Sequence, residues 1–222
     1  MIDFKVRLKP VGLLSVGWVY PLRIDADVPF MRKGVKSSEG ITYRCYIPGS
    51  SFKGALRSSA SRIADLFGFK SCGEVNVEYI RKAHGKIGLC DVCKLFGYPG
   101  SSEQGLLYVA DFDLVNDVAT LTSTGIRVDD SSCKVAEGAL FTVEKIPRNA
   151  EFLGRVSLAT HDVKLIELTL LALANLRLDR IGRRSQLDLK LEDTKLLETF
   201  LKEPHWMEFL NEMKEWLYHE VL

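Results

Sequence analysis

The chain opens on an alternation of apolar and polar positions, with Phe4, Val6 and Leu8 interleaved by Lys5, Arg7 and Lys9. That period of two predicts a half-buried strand, continued more loosely by GLLSVGW up to Gly17. Residues 20–44, which hold Asp25, Asp27, Pro29, Lys33 and Gly34, predict a loop. Pro48-Gly49 marks a turn, and Ser50 or Ser51 suits the N-cap of a helix reaching about Phe67. Phe52, Leu56, Ile63 and Phe67 would form its buried stripe. Lys53 and Arg57 share another face at i, i+4, whereas Arg62 lies ~140° round from Arg57.

Residues 68–105 are irregular and rich in Gly, Cys and charge, and Tyr98-Pro99-Gly100-Ser101-Ser102 reads as loop. A strand is expected at 106–114. The stretch 123–138 is polar, and the β-type segments ALFTVEKI and AEFLGRVSLAT suggest a long hairpin around Pro147-Arg148-Asn149. DVKLIELTLLALANLRL (162–178) predicts an apolar helix with Asp162 as N-cap, too short to span a bilayer and so a core helix. IGRRSQLDLKL predicts a turn and a strand. In the tail, Trp206, Phe209, Leu210, Met213, Trp216 and Leu217 recur at helical spacing, a stripe expected to pack on the protein itself. There is no internal repeat and no low-complexity tract.

The order strand, helix, two or three strands, helix, strand predicts an α+β fold with a ferredoxin-like, or RNA-recognition-motif, βαββαβ core. One domain over residues 1–191 would carry an insertion at about 68–105 and a long hairpin at about 123–150. Residues 192–222 would form a C-terminal helical extension. Such a fold hosts many activities, so function has to come from the sites.

A length of 222 residues suits one elaborated domain, large enough to build its core without disulfides or metal. Hydrophobic content of 46% and charge of 27% exclude disordered and collagen-like classes. The net charge of +1 provides no global basic field, so a nucleic-acid surface has to be a local patch. No apolar run is long enough for a membrane span, and MIDFKVRLKP lacks the layout of an export signal. A cytoplasmic protein is expected. Five cysteines, an odd number, argue against a disulfide framework.

Cys72, His84, Cys90 and Cys93 follow the spacing C-x11-H-x5-C-x2-C. Two thiolates in a tight C-x2-C turn chelate one ion, and four N/S ligands complete a closed tetrahedral site, so structural zinc is expected. The surrounding segment has too little apolar content to fold unaided, which a metal would remedy. A redox Cys-x-x-Cys pair and incidental thiols are the alternatives, although the βαβ context of a thioredoxin-like motif is missing. Cys45 and Cys133 read as idle thiols. His161, beside Asp162, is either a general base or a helix-start residue in a structural hydrogen bond, and His205 and His219 read as surface. The motifs of P-loop NTPases, serine hydrolases, zinc proteases and dinucleotide enzymes are absent.

Ser50, Ser51, Lys53 and Arg57 cluster at a helix start, where free backbone N–H groups attract phosphate and paired cations add salt-dependent contacts to an RNA backbone. The alternative is a solvated, serine-capped helix face. The string Tyr46-Ile47-Pro48-Gly49-Ser50-Ser51-Phe52-Lys53-Gly54-Ala55-Leu56-Arg57 resembles the signature that opens the first helix in the CRISPR-associated RAMP superfamily. The likeness is strongest to the repeating backbone subunit of type III (Csm/Cmr-like) effector complexes. Asp27-Val28-Pro29-Phe30, Leu95-Phe96-Gly97 and Val109-Ala110-Asp111-Phe112 resemble further family segments, in the right order. Thr124-Gly125-Ile126-Arg127 leading to Gly138-Ala139-Leu140-Phe141 resembles the family's long hairpin. Where the family has a glycine-rich loop, this chain has Arg180-Ile181-Gly182-Arg183-Arg184-Ser185-Gln186 with a single glycine, and Arg183 and Arg184 would supply charge instead.

The resemblance implies a CRISPR RNA-binding subunit that stacks head to tail along the guide with other subunits of its complex. It implies insertion of the hairpin between guide and complementary target RNA, with Arg127, Lys134, Lys145 and Arg148 on phosphates and Ile126 and Val128 as wedges. It further implies endonucleolytic hydrolysis of the target at regular intervals with a divalent metal such as Mg or Mn. Asp27 matches the aspartate required for that cleavage better than Asp25 does. The rival reading is a non-catalytic RNA-binding structural subunit, and a more distant one is a processing endoribonuclease.

Overall fold

The N-terminal alternation folds into strand β1 (Ile2–Pro10), with Ile2, Phe4, Val6 and Leu8 buried. The structure, a computed structural model, describes residues 1–17, 26–38, 40–102, 104–126, 128–129, 131–132, 134–135, 140–182 and 185–218. After β1 come the hairpin strands β2 (Arg32–Ser37) and β3 (Gly40–Ile47), then helix α1 (Gly49–Ile63). Two short helices follow, α2 (Val77–Ile87) and α3 (Asp91–Phe96), then strands β4 (Leu107–Val109), β5 (Phe112–Leu114), β6 (Leu121–Gly125), β7 (Phe141–Lys145) and β8 (Phe152–Leu158). Helix α4 (Val163–Leu176), strands β9 (Arg180–Ile181) and β10 (Ser185–Glu192) and helices α5 (Lys195–Glu198) and α6 (Pro204–Glu212) complete the chain. The α+β expectation holds.

The main sheet is antiparallel, in the order β2-β3-β5-β8-β1-β10-β9, with β4 also on β8. Strands β4 and β5 are one strand interrupted by a bulge. Leu107 opposes Leu158 but Asp113 opposes Leu153, so one extra residue sits between them, around Asp111. Helices α1 and α4 pack together, α1 burying Phe52, Leu56 and Ala60 and α4 being largely apolar. A polar clasp joins them: Ser59 Oγ donates to the Ala172 carbonyl at 2.8 Å and accepts from Asn175 Nδ2 at 2.9 Å. The Phe52 ring lies 4.5 Å from that of Phe112, tying α1 to the sheet.

Several local expectations change. The predicted loop at 20–44 contains the β2–β3 hairpin. Strand β2 is a sheet edge, and Ile41 and Tyr43 of β3 are exposed, so no alternation of burial marks the pair. Residues 12–17 form no full strand but make single bridges, Leu14 with Ile146 and Gly17 with Phe30. Helix α1 starts at Gly49 with Pro48 as N-cap and no side-chain cap, placing Ser50 and Ser51 inside its first turn. It ends at Ile63. Asp65–Phe67 is a 3-10 turn closed by left-handed Gly68, so Phe67 is exposed and leaves the predicted stripe. Segment 68–105, read as irregular, holds α2 and α3.

The hairpin is also re-paired. Strand β7 joins β6, and residues 147–150 make only a tight turn (Ala150 N–H to Pro147 O, 3.2 Å) into β8. Asp162 caps α4 as expected, accepting from the Lys164 amide at 3.0 Å. The tail packs on the protein through buried Leu210 and Met213, and the Met213 carbonyl takes the Leu191 amide at 2.8 Å. Buried Arg177 holds this tail, donating to the carbonyls of Leu189, Met213 and Glu215. Among the described residues no helix is long and apolar enough to cross a membrane.

Candidate functional site

The turn at residues 48–51 is built around a glycine that nothing else can replace without movement. A Cβ on Gly49 would lie 2.4 Å from the Val109 carbonyl oxygen and 2.8 Å from that of Ala110. The bulge that brings these carbonyls close also turns Asp111 toward the helix, where its Oδ1 accepts the Gly49 amide at 2.9 Å. Asp111 thus answers a first-turn N–H that no capping side chain reaches. Lys33 sits beside it, 3.8 Å from Asp111 Oδ2 and paired with Asp113. Ser50 and Ser51 remain exposed.

Arg57 turns toward the Cys/His insertion and Lys53 toward the adjoining strand β4. Lys53 Nζ donates to the Leu107 carbonyl at 2.7 Å and lies 6.0 Å from the Tyr108 ring centroid. Partial burial, then the neighbouring Arg57 charge, lowers its pKa. Arg57 Nη1 donates to the Gly97 carbonyl, and its Nη2 lies 3.4 Å from Cys93 Sγ. Together with Tyr98, Gln104 and Tyr108 these cations line an open groove of about 460 Å³.

Asp27 is exposed and fastened to the hairpin. Its Oδ2 accepts the Thr142 amide at 2.6 Å and the Thr142 hydroxyl at 2.9 Å. Those two donors, the amide first, hold its pKa below the ordinary carboxylate value. Val28 continues the junction as a parallel bridge to Val143. Next to it, buried Glu144 accepts the Phe30 amide at 2.9 Å and forms a two-pronged pair with Arg32 at 2.6 and 2.5 Å. Burial alone would raise the Glu144 pKa, but Arg32 and the other donors bring it down to about 2. The sequence reading missed Thr142, Glu144 and Arg32, since no local pattern links them to Asp27.

The predicted metal ligands converge. One ligand atom from each of Cys72, His84, Cys90 and Cys93 lies within 4.8 Å of all the others. Helix α2 supplies His84, and Cys90 caps α3 while Cys93 stands in its first turn. Cys72 and Cys93 sulfurs are 3.6 Å apart, too far for a disulfide and close to the ~3.8 Å edge of a tetrahedron with metal–sulfur bonds of ~2.3 Å. The Cys93 amide donates to Cys90 Sγ at 3.4 Å. Contact with Cys93 holds the Cys90 thiol down to about 4, while Cys90 pushes that of Cys93 up. Both nitrogens of His84 are buried without a hydrogen-bond partner. A buried imidazole with neither nitrogen hydrogen-bonded, and one of them within 4.8 Å of three sulfurs, fits a metal ion, because its polar atoms are otherwise left unsatisfied.

The remaining candidates separate. Gly182 adopts φ +67°, and a Cβ there would meet the Ser15 carbonyl oxygen at 2.2 Å, so the single glycine of this loop serves a close backbone crossing. Arg183 and Arg184 lie outside the described residues, as do Arg127, Cys133, Asp25 and His219. Arg148 is exposed in the turn between β7 and β8, at the foot of the hairpin rather than on its arm. Lys145 Nζ donates to Ser123 Oγ across the arm at 3.1 Å, and Ile126 and Val128 are exposed toward its tip. His161 is exposed and stacks on Phe200 with centroids 5.0 Å apart.

Residues 30–187 match the profile of the RAMP superfamily, well over half of the chain. Among solved structures, the fold is similar to a chain from a Type IV-B CRISPR complex, with a TM-score of 0.60 at 15% identity. The likeness covers 87% of this chain and 92% of that one. No curated protein matches.

Proposed function

The chain belongs to the RAMP superfamily, and from that premise we infer that it is a CRISPR-associated RNA-binding subunit of a multi-subunit complex. The likeness to a chain of a Type IV-B CRISPR complex supports this coarse reading. The motifs quoted above favour a type III backbone subunit, stacked head to tail on guide RNA. The strand order β5-β8-β1-β10, with α1 and α4 as crossovers, supports a ferredoxin-like core. The donor set of three thiols and one imidazole supports structural zinc in the insertion at about 68–105.

The observation that carries the functional reading is the Asp27–Thr142 junction. It sets an exposed carboxylate near the outer end of the β6–β7 ladder, where Thr142 pairs with Thr124, close to the apolar, solvent-facing residues Ile126, Val128 and Leu140 of the arm. RNA lying along the arm would pass this carboxylate. Ser50 and Ser51, the free valences of Lys53, and Arg127, Arg148, Arg183 and Arg184 would hold phosphates. Arg57 is engaged elsewhere.

Cleavage by the target's own 2′-hydroxyl needs that oxygen aimed in line at the adjacent phosphate. It gives its proton to water, a 2′,3′-cyclic phosphate forms, and the departing 5′-oxygen takes a proton from water. Asp27 is held ionised by Thr142, which suits binding a divalent ion such as Mg or Mn better than taking up a proton. One carboxylate is a single ligand, so RNA oxygens and water would supply the rest. Such an ion would neutralise charge developing on the phosphate. Guide-loaded protein incubated with complementary RNA and Mg or Mn should cut it at regular intervals. Asp27→Ala should abolish the cuts while guide and target affinity stay nearly unchanged. Intact target with every metal would select the non-catalytic structural subunit instead.

A further inference from the structure

We propose that Arg57 is a positioning residue for the Cys72–His84–Cys90–Cys93 cluster, an outer donor to a metal-bound thiolate rather than a contact to RNA phosphate. This inference rests on the metal reading above. Its basis is the two-pronged reach of the guanidinium, with Nη2 3.4 Å from Cys93 Sγ and Nη1 on the Gly97 carbonyl. Both acceptors sit on one rigid piece of chain. The Gly97 amide returns to the Cys93 carbonyl at 2.9 Å. Gly97 has φ +78°, and a Cβ on Gly105 would lie 2.3 Å from the Phe96 carbonyl carbon. The crossing of these two glycines admits no side chain, so Cys93 and the Gly97 carbonyl present a fixed pair of acceptors to the planar fork of an arginine.

Charge points the same way. Three thiolates around a dication leave the cluster with a net charge of about −1 in a partly buried site. A guanidinium that cannot lose its proton offsets that charge and stabilises the thiolate it touches. Lys53, one turn earlier on the same helix face, differs. Its ammonium donates to one carbonyl, Leu107, and has two further N–H groups for a ligand in the groove. The two cations of the signature therefore divide their work, Lys53 toward the groove and Arg57 toward the metal. Arg57 thereby ties helix α1 to the cluster in the insertion.

The test uses the full chain loaded with zinc, or with cobalt as a spectroscopic substitute. Arg57→Ala should lose zinc to a competing chelator ~10- to 100-fold more readily than wild type. Its cobalt–thiolate charge-transfer band should move to lower energy, because a sulfur that loses a hydrogen bond gives up electron density more easily. Arg57→Lys, which keeps the charge and one donor, should restore part of both. If Arg57→Ala does not fold, the lysine variant is read by the same band. Zinc affinity and a cobalt band identical to wild type in these variants would overturn the inference alone. A wild-type protein that takes up neither metal would overturn the metal reading and this inference with it.

Discussion

At the level of single residues, the junction between the 26–31 segment and the hairpin is held by two carboxylates with different surroundings. Asp27 is exposed and anchored by Thr142, whereas Glu144 is buried and paired with Arg32. The Glu144 pKa falls from 4.5 to about 2, so the folded state binds its proton less readily than the unfolded chain does. The stability that the pair contributes is therefore complete above about pH 4.5 and is lost as pH falls toward 2. Glu144→Gln should cost ~3–5 kcal/mol at pH 7, since it removes the buried charge that Arg32 pairs with and weakens the hold on the Phe30 amide. Urea unfolding at pH 7 and pH 3 checks this: the gap to wild type should narrow at pH 3, and an equal gap at both would refute it. Asp27, on the surface, contributes position rather than stability.

At the level of elements, the start of α1 depends on a strand defect that lies beside it in space but 62 residues on along the chain. The bulge around Asp111 brings two carbonyls against Gly49 and offers a carboxylate to its amide. Gly49→Ala should destabilise by ~1–3 kcal/mol or more, because the obstacle is backbone and cannot swing aside. Gly54, five residues on in the same helix, has open space around its Cα. Gly54→Ala should be neutral or stabilise by up to ~1 kcal/mol through helix propensity. Denaturant midpoints of the two variants, moving in opposite directions, would separate a packing glycine from a merely permissive one. A stable Gly49→Ala protein would mean that β4 and α1 can part.

At the level of the whole molecule, a net charge of +1 confines nucleic-acid binding to local surfaces. Such surfaces suit a protein that adds its contacts copy by copy along an RNA. The proposed head-to-tail stacking would be a heterologous contact that does not close on itself, so RNA length would set the number of copies. Complexes formed on guides of increasing length should therefore rise in mass by whole subunits, as light scattering after size exclusion would show. A single fixed mass on all guides would count against stacking.

What the sequence determined alone was whatever neighbours along the chain encode. The alternation of β1, the Asp162 cap and apolar run of α4, and the C-x2-C turn with its outlying Cys72 and His84 were all legible, because each is a local period or spacing. The β2–β3 hairpin was not, since a hairpin with little buried surface carries no alternation to read. The serines at 50 and 51 read as caps, but the helix starts before them at Gly49, whose amide goes to Asp111, 62 residues away. Asp27 could be singled out from its motif, yet its partner Thr142 is 115 positions on. Arg57 reads as half of a phosphate clamp at i, i+4, yet the folded insertion also offers Cys93 and the Gly97 carbonyl to it. Tertiary structure decided these cases for one physical reason. A side chain's role is set by the acceptors that packing brings within ~3 Å of it, and separation along the chain says nothing about those.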